Sequence, residues 1–384
     1  MTRHGWLDGP YFTSPGHALE LATRDAVTPV AVYNAGAAVS VADELAGLGF
    51  AVRYAVKAGP VAGLIEALVR HGHGLDVASA AELMMGRRAG CPVDRMVASN
   101  PAMLEADLRR CLEHGVRLFV VDSATQGSRI TRIARELEID EPVGALVRLS
   151  VHDASAHYSL AEKFGIEESE ALALAPTFGD DLSLRGVAYH LGSQASDPAA
   201  ARAAARCALG LAERLGIDEP IVDVGGGFPA PYTGAERWRD LAEAQAEVLV
   251  GRATALCEPG RVIASAGSYL VASVVLVAER AGRRFVHLDA GGYHGLLEFS
   301  GLVAAPWRTT LATAQAAIPD APAPALVVGP TCDGADALFG GPVDLPANLA
   351  EGDRVLVALA GAYAAEPAGS FNGIGPIDKR VEGH

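Results

Sequence analysis

Lysine is nearly absent from this sequence of 384 residues. Only Lys57, Lys163 and Lys379 occur, so nearly all of the 31 basic residues are arginines. Any chemistry that needs a primary amine on a side chain therefore has three candidates. Basic residues are also in the minority, because 46 acidic residues bring the formal net charge to −15. Nucleic acid and anionic membrane both require basic surface, so we expect neither as the main partner.

Cysteine is also scarce, and its spacing does not suit a structural role. The five cysteines are odd in number, widely separated and free of Cys-x-x-Cys pairs: Cys91, Cys111, Cys207, Cys257 and Cys332. This pattern argues against a disulfide framework and against a structural zinc site. We expect no bound metal.

Long apolar runs are missing as well. The strongest run, near residues 269–278, is far too short to cross a bilayer. The first 17 residues lack the apolar core of a secretory signal. We therefore expect a cytoplasmic protein. Its composition, 50% hydrophobic and 20% charged, is that of a folded globular chain.

Short apolar runs alternate with helix-length segments through the first two thirds of the chain. The runs lack polar–apolar alternation, which is typical of strands buried on both faces of a parallel sheet. They cover residues 50–57, 74–78, 94–98, 117–121, 143–149, 184–190, 221–224 and 254–257. Eight strand–helix units of regular size predict an α/β fold, a closed (β/α)8 TIM-type barrel, over residues 35–260. An open, doubly wound sheet is the alternative.

The pattern of predicted secondary structure changes after residue 260. Strand-like runs are now separated by turns that contain glycine and proline, mostly without helices between them. This pattern predicts a mainly antiparallel β-domain. A further strand-like run at residues 28–34 precedes the barrel, and we expect it to join that domain. The β-domain is therefore predicted to be discontinuous, comprising residues 1–34 and 261–384.

Polar residues follow nearly every predicted barrel strand. Catalytic groups of such barrels lie at the carboxyl ends of the strands. The strand-end groups are Lys57, Asp76 with Ser79, Ser99 with Asn100, Asp122, Arg148, His190 with Ser193, the run Gly225–Gly227, and Glu258 with Arg261. Polar residues are common at strand ends, so the set as a whole, more than any member, predicts a site.

The chemistry of these groups is complementary. A partly desolvated Lys57 amine is a nucleophile for carbonyls, although a lysine reaching to solvent gives the same pattern. Consecutive glycines at 225–227 either cradle a phosphate or make a tight turn. Glu258 and Arg261 either bind a ring nitrogen and a phosphate or form a surface ion pair. With His190 as a stacking plane or an acid/base, the set indicates pyridoxal phosphate (PLP) attached to a lysine.

A family resemblance rests on ten motifs that occur in order along essentially the whole chain. They are YAVKAGP, GHGLDVASAAEL, EKFGI, YHLGSQ, DVGGGFP, CEPGR, LDAGGYHGLLE, GPTCDGADALF, GAY and FNG. The chain thereby resembles the fold-type III PLP-dependent amino-acid decarboxylases, the ornithine/diaminopimelate/arginine group. It is most similar to the short bacterial ornithine or lysine/ornithine decarboxylases. The resemblance implies an alanine racemase-like fold and a homodimer with sites shared across the interface.

The resemblance also assigns roles to residues. It implies that Lys57 carries the cofactor, that His190 stacks on its ring, and that Glu258 holds the ring nitrogen protonated. Asp76 and Arg148 support the lysine and the cofactor. The phosphate is bound by Ser193, Gly225, Gly226, Gly227, Gly260, Arg261 and Tyr363. From the partner subunit, Cys332 protonates the α-carbon after CO₂ leaves, while Asp333, with Glu298, contacts the distal amine of the substrate.

Three departures from the family pattern bear on the substrate. The lysine motif reads Ala-Gly-Pro at 58–60, where the family usually has Ala-Asn-Pro. Segment 299–303 is neutral where the short ornithine decarboxylases carry acidic residues, and the Arg-Pro-x-Leu-Tyr segment of diaminopimelate decarboxylases is absent. We therefore expect an L-amino acid with an amine-bearing or modified side chain. Ornithine or lysine comes first, and a compound of a specialised pathway competes with them.

Two other functions fit parts of the pattern. An amino-acid racemase would use the same fold, but the retained Cys332-Asp333 motif favours a decarboxylase. A non-catalytic relative that binds a partner would be expected to have lost Lys57, the glycine run or Cys332, and all three are present.

Overall fold

The computed structural model describes residues 27–383, apart from 142, 179–181, 235–236, 304–307, 310, 314–320 and 365. Contacts divide the chain into two compact units. The barrel unit comprises Val41–Pro229 and Arg237–Val262. The sheet unit comprises the described residues within Met1–Ser40, Ala230–Glu236 and Ile263–His384. The domain boundaries drawn from the sequence, after residues 34 and 260, stay predictions.

The barrel unit is built on parallel strands. Strands are numbered along the chain, and β1 (Val30–Asn34) belongs to the sheet unit. The barrel strands are β2 (Ala51–Ala55), β3 (Gly74–Asp76), β4 (Met96–Val97), β5 (Leu118–Val121), β6 (Val143–Arg148), β7 (Leu182–Ala188), β8 (Ile221–Asp223) and β9 (Thr254–Cys257).

These eight strands follow one another around a ring. Their order is β4-β3-β2-β9-β8-β7-β6-β5. The two ends of that order meet at a parallel bridge between Ala98 and Phe119, where the Ala98 amide donates to Leu118 O at 3.0 Å. The barrel is therefore nearly closed, which confirms the predicted fold class over the open-sheet alternative.

Helices connect the barrel strands, and polar side chains start several of them. The helices are Ala35–Gly47, Ala62–Arg70, Ala80–Arg88, Glu105–Glu113, Ala124–Glu136, Glu168–Leu174, Pro198–Arg214, Trp238–Leu249 and the short Arg261–Ala264. Ser79 and Ser123 each accept a hydrogen bond from the amide three residues on, so their hydroxyls satisfy exposed helix N–H groups.

Apolar strand residues fill the centre of the barrel unit. Val97, Val120, Leu146, Ala188 and Leu256 form one buried cluster, and none is more than 4% exposed. Because both faces of each parallel strand are covered, continuous apolar runs replace the alternation seen in half-exposed sheets. The polar residues that follow these runs are thereby left at the strand ends.

The sheet unit contains a mostly antiparallel sheet. Its strands are β10 (Tyr269–Arg280), β11 (Arg283–Leu288), β12 (Leu311–Thr313), β13 (Pro322–Val328), β14 (Val343–Pro346), β15 (Arg354–Ala358) and β16 (Asp378–Glu382). The order is β12-β15-β10-β11-β13-β14. Strand β1 pairs antiparallel with β10 and parallel with β16. Among the described residues, no helix is long and apolar enough to span a membrane.

Candidate active site

Lys57 follows β2 at the mouth of the barrel unit. Its Nζ atom donates to Asp76 Oδ2 at 3.0 Å, and Ser99 Oγ donates to Asp76 Oδ1 at 2.5 Å. Asp76 ends β3 and is 1% exposed, whereas the lysine side chain is 47% exposed. A fixed, buried carboxylate thus orients an amine that a ligand can still reach.

The turn that carries Lys57 is held from both sides. Tyr54 Oη donates to Gly59 O at 3.0 Å, and the Ala55 amide donates to Pro259 O at 3.2 Å. Gly59 has a φ of −167°, which is extended backbone that any residue adopts. The departure from the usual Ala-Asn-Pro therefore removes a side chain without requiring a different backbone at this position.

The glycine run Gly225–Gly227 follows β8 and leaves bare backbone at the strand end. A Cβ atom on Gly225 would lie 2.5 Å from Tyr189 O, and one on Gly227 would lie 2.3 Å from Gly192 O. Both glycines have positive φ, +65° and +91°. Both the clashes and the positive φ angles exclude side chains at Gly225 and Gly227. Without side chains in the way, an anion can approach the backbone N–H groups of the run closely.

His190 follows β7 and packs against the same glycines. The Gly192 amide donates to its Nδ1 atom at 2.9 Å, so Nδ1 carries no proton. Burial, and then the charges of Arg148 and Lys57, lower the pKa of His190 to about 3. The ring is therefore neutral at physiological pH, which suits a stacking plane better than a cationic acid.

Glu258 follows β9 and shares a buried environment with Asp223, the last residue of β8. Burial, and then the negative charge of Asp223, raises the pKa of Glu258 well above its usual range. Burial also raises the pKa of Asp223 to about 6, although its Oδ1 accepts from the Gly225 amide at 2.9 Å. Each of these buried carboxyl groups therefore binds a proton more readily than an exposed one would, and protonation of either relieves the repulsion between them.

Asp223 is a candidate site residue that the sequence did not reveal. Its Oδ1 atom accepts from the amide of Gly225, and its negative charge acts on Glu258. Its signal in the sequence was its place two residues before the glycine run, at the end of β8.

Two arginines bring positive charge to this end of the barrel. Arg148 ends β6, where burial lowers its pKa while Glu258, Asp122 and other nearby acids oppose that shift. Arg261 is 6% exposed and its Nε atom donates to Ser193 Oγ at 3.3 Å. Gly260 precedes it in the same buried turn. The pair Ser193 and Arg261 offers hydrogen-bond donors to an anion.

The residues of the barrel unit fit pyridoxal phosphate. Glu258 Oε1 is buried and accepts no hydrogen bond from the part of the chain that the structure describes. An acid that lacks one partner is suited to a pyridine nitrogen. The glycine run presents backbone without side chains, and Lys57 supplies the amine. A phosphate, a ring and a carbonyl therefore each find complementary groups within one unit.

Four predicted site residues lie in the sheet unit. Glu298 is in the turn Leu297–Phe299, Cys332 and Asp333 are in the loop between β13 and β14, and Tyr363 follows β15 with a φ of +53°. The Asn372 amide nitrogen lies 3.3 Å from Cys332 Sγ.

Asp333 is held by two donors within the sheet unit. The Tyr293 hydroxyl donates to Oδ2, and the Ala335 amide donates to Oδ1 at 2.9 Å. The Tyr293 hydrogen bond lowers the pKa of Asp333, which keeps this carboxylate ionised. The sequence analysis did not predict Tyr293 as a partner. Its only signal was its place in the motif LDAGGYHGLLE.

The neutral segment 299–303 begins in the core of the sheet unit. Phe299 is 1% exposed and meets the rings of Tyr232 and Phe339 edge-on, at 5.8 and 6.1 Å between centroids. Ser300 is fully buried, and its hydroxyl donates to Leu297 O at 2.7 Å. Packing explains why positions 299 and 300 are neutral, and the predicted effect of segment 299–303 on the substrate stays a prediction.

Comparisons with known proteins show which family the chain belongs to. The family described as "Pyridoxal-dependent decarboxylase, pyridoxal binding domain" matches residues 37–272. Diaminopimelate decarboxylase of Pseudomonas aeruginosa is 33% identical over 86% of this chain and 81% of its own. Lysine/ornithine decarboxylase of Selenomonas ruminantium is 30% identical over 84% of this chain and 81% of its own.

Structural similarity extends over nearly the full length. The crystal structure of lysine/ornithine decarboxylase from Vibrio vulnificus, complexed with putrescine, has a TM-score of 0.82 at 26% identity. The match covers 95% of this chain and 97% of the Vibrio chain. These three proteins are decarboxylases, so they do not support the racemase alternative. They confirm the predicted cofactor and enzyme class, and the chain therefore belongs to the fold-type III family of PLP-dependent amino-acid decarboxylases.

Proposed function

We propose that this enzyme decarboxylates an L-amino acid whose side chain ends in an amine or a modified amine. The observation that carries the proposal is the ionised Asp333, held by Tyr293 next to Cys332. An ionised carboxylate beside a proton donor can pair with a distal ammonium. Relatives named for diaminopimelate, lysine and ornithine support the same substrate class. Ornithine and lysine are the first candidates.

A substrate that also carries an acidic group is the competing candidate. A cavity of about 430 Å³ in the sheet unit is lined by Cys332 and Asp333, and also by Arg280 and Arg283. The two arginines would attract a second carboxylate or a phosphate-bearing extension. This arrangement supports a compound of a specialised pathway as the second candidate, after ornithine and lysine.

In the proposed mechanism, Lys57 is the attachment amine. Lys163 lies in a loop with its Nζ 4.8 Å from the ring of Phe164, and Lys379 lies in β16, paired with Glu366. Of the three lysines, Lys57 alone follows a barrel strand, and its charge acts on His190 and Glu258. Asp76 holds its Nζ in place, and Arg148 adds positive charge at the same strand ends.

The other barrel residues bind and polarise the cofactor in this proposal. When bound, PLP supplies an electron sink for the electron pair that the departing carboxylate leaves behind. Glu258 holds a proton for the ring nitrogen at its carboxyl group, and neutral His190 covers one ring face. In this proposal Ser193, the run Gly225–Gly227, Gly260 and Arg261 bind the phosphate, and the family resemblance adds Tyr363, which belongs to the sheet unit.

We further propose a cytoplasmic homodimer in which Cys332 and Asp333 act in the partner's site. Cys332 is exposed on the surface of its own chain, which fits a group that serves another subunit. Its thiol would give a proton to the α-carbon, and Asp333 with Glu298 would bind the distal amine. Sedimentation that shows only monomers at assay concentration would contradict the shared site.

The substrate proposal is tested with a panel of L-amino acids. The panel contains ornithine, lysine, diaminopimelate and arginine, and CO₂ release is measured for the PLP-loaded enzyme. We expect turnover of at least one member and none of its D-enantiomer. Absence of turnover throughout, with PLP bound, would contradict the substrate class. Exchange of the α-hydrogen for deuterium, with the carboxylate retained, would instead indicate a racemase.

A further inference from the structure

The proposed proton donor has a partner that lies 40 positions away in the sequence. Asn372 Nδ2 lies 3.3 Å from Cys332 Sγ, and the sulfur lies 3.8 Å from Asn372 Oδ1. The two groups can therefore exchange donor and acceptor roles. An amide N–H donates to a thiolate, and a thiol S–H donates to the amide oxygen.

The backbone of Asn372 is fixed in a conformation that few side chains adopt. It lies in the turn Phe371–Gly373 with φ 60° and ψ 15°, in the left-handed region. Asparagine and glycine are the residues that adopt this region most readily. The sequence therefore supplies the one common residue type that combines this backbone with a side-chain amide.

Ring stacking anchors the same turn. The rings of Phe371 and Tyr293 stack at 4.4 Å between centroids, with an angle of 24° between their planes. Tyr293 in turn donates its hydroxyl to Asp333. The turn Phe371–Gly373 is thus joined to both members of the Cys332-Asp333 pair, directly through Asn372 and indirectly through Tyr293.

We propose that Asn372 is a positioning residue for the Cys332 thiol. The inference rests on the proposed role of Cys332 as proton donor. When the thiol gives its proton to the α-carbon, a thiolate remains, and the amide N–H of Asn372 stabilises that negative charge. The same contact holds the sulfur in one orientation. Asn372 therefore favours delivery of the proton to the α-carbon.

Misdelivery of the proton has a distinct chemical outcome. A proton that reaches the carbonyl-derived carbon of the cofactor, and not the α-carbon, leaves the substrate carbon as an aldehyde after hydrolysis. The balance is amino acid plus PLP giving aldehyde, CO₂ and pyridoxamine phosphate, with the amino nitrogen transferred to the cofactor. The fraction of turnovers that give aldehyde therefore reports where the proton goes.

Two substitutions distinguish the effect of the Asn372 side-chain amide from the effect of its backbone conformation. Asn372→Gly keeps the left-handed conformation and removes the amide, whereas Asn372→Asp keeps the conformation and places a carboxylate at the sulfur. In both variants we expect the aldehyde fraction to rise on the order of tenfold over wild type, with a larger rise for aspartate. Wild-type aldehyde fractions in both variants, with unchanged thermal unfolding, would overturn the inference.

Alkylation of the cofactor-free protein gives a second readout that does not depend on turnover. Iodoacetamide modification is followed at Cys332 by mass spectrometry, and the other exposed cysteine, Cys207, serves as internal reference. Because the thiolate is the reactive form, Asn372→Asp should slow modification of Cys332 on the order of tenfold relative to Cys207. An unchanged ratio of the two rates would overturn the inference.

A Cys332→Ala variant separates failure of the inference from failure of the proposed function. If it raises the aldehyde fraction while the Asn372 variants do not, only the role of Asn372 is wrong. If it leaves the aldehyde fraction unchanged, Cys332 is not the donor and both proposals fail.

Discussion

The strand ends of the barrel unit and the Cys332 loop of the sheet unit place reactive groups in opposite environments. At the strand ends, Asp76, Glu258 and Arg261 are between 1% and 8% exposed. Cys332 of the loop and Asn372 of the turn Phe371–Gly373 are exposed and hold each other by side-chain contacts. Burial at the strand ends sets the protonation states of His190 and Glu258. In the loop, the hydrogen bond from Tyr293 lowers the pKa of Asp333 and keeps that carboxylate ionised.

This difference indicates that the strand ends of the barrel unit and the Cys332 loop have separate functions. The buried strand ends are organised in advance to bind a cofactor that stays through every cycle, and their preorganised charges cost no rearrangement at the moment of reaction. In the proposed function, the exposed loop contacts the groups that change in each cycle, which are the substrate side chain and the transferred proton. We therefore expect substitutions at the strand ends to abolish activity or cofactor binding, and substitutions in the loop to change product and substrate preference.

Lys57→Ala should have the largest effect. Without the attachment amine, kcat should fall at least about 10³-fold, because the tethered group is replaced by a reaction in solution. The visible absorbance of lysine-bound PLP should also disappear. Lys163→Ala and Lys379→Ala are matched controls that should retain activity. Retention of the absorbance band by Lys57→Ala would mean that another lysine carries the cofactor.

Glu258→Gln should have the next largest effect. Glutamine keeps the size and polarity of the side chain but cannot hold a proton for the ring nitrogen, so kcat should fall about 10²-fold. The dissociation constant of PLP should change far less, since the phosphate cradle is intact. Equal kcat values for the variant and the wild type would remove Glu258 from the mechanism.

The pH dependence of stability tests the buried state of His190. Its pKa is about 3 in the folded chain and 6.5 as a free group, so unfolding takes up a proton between these values. Its contribution is complete above pH 6.5 and is lost progressively as pH falls towards 3. The free energy of unfolding of the cofactor-free chain should therefore lose about 2 kcal/mol from this group between pH 7 and pH 5.

His190→Asn is the control for this pH effect, because asparagine can still accept from the Gly192 amide. Chemical denaturation at pH 7 and pH 5 should show a smaller loss of stability in the variant. Parallel losses in the two proteins would show that His190 is protonated in the folded chain at pH 5.

Tyr293→Phe should have the smallest effect and tests the loop. It removes the hydroxyl that donates to Asp333 and keeps the ring that stacks on Phe371. For a substrate with a distal amine, KM should rise about threefold while kcat changes little. A fall in kcat with an unchanged KM would place Tyr293 in the chemical step and would weaken the contrast between the two regions.

The sequence predicted the strand ends better than the loop, for physical reasons. Continuous apolar runs mark buried parallel strands, and the residues that follow such runs must lie at one rim of a barrel. Lys57 and Glu258 could therefore be placed from the apolar runs alone. Assigning Lys57 and Glu258 to pyridoxal phosphate required all the polar strand-end groups to be considered together. Asp223 was not predicted because its carboxyl group acts on Glu258, which lies 35 positions further along the chain. No local sequence pattern records that the fold brings the two residues together.

The loop contacts could not be read from the sequence in the same way. Cys332 and Asn372 are 40 positions apart, and Tyr293 is as far from Asp333. No repeating spacing links them, because each contact depends on how the turns between strands fold. The neutral segment 299–303 predicts a change at the substrate, and this stays a prediction; its first two residues, Phe299 and Ser300, are buried in the core of the sheet unit.

The proposed function depends most on the identity of the lysine that holds the cofactor. Borohydride reduction of the PLP-loaded enzyme, followed by peptide mapping, locates the pyridoxyl group directly. We expect one modified lysine per chain, Lys57. Modification of Lys163 or Lys379, or of no lysine at all, would contradict it.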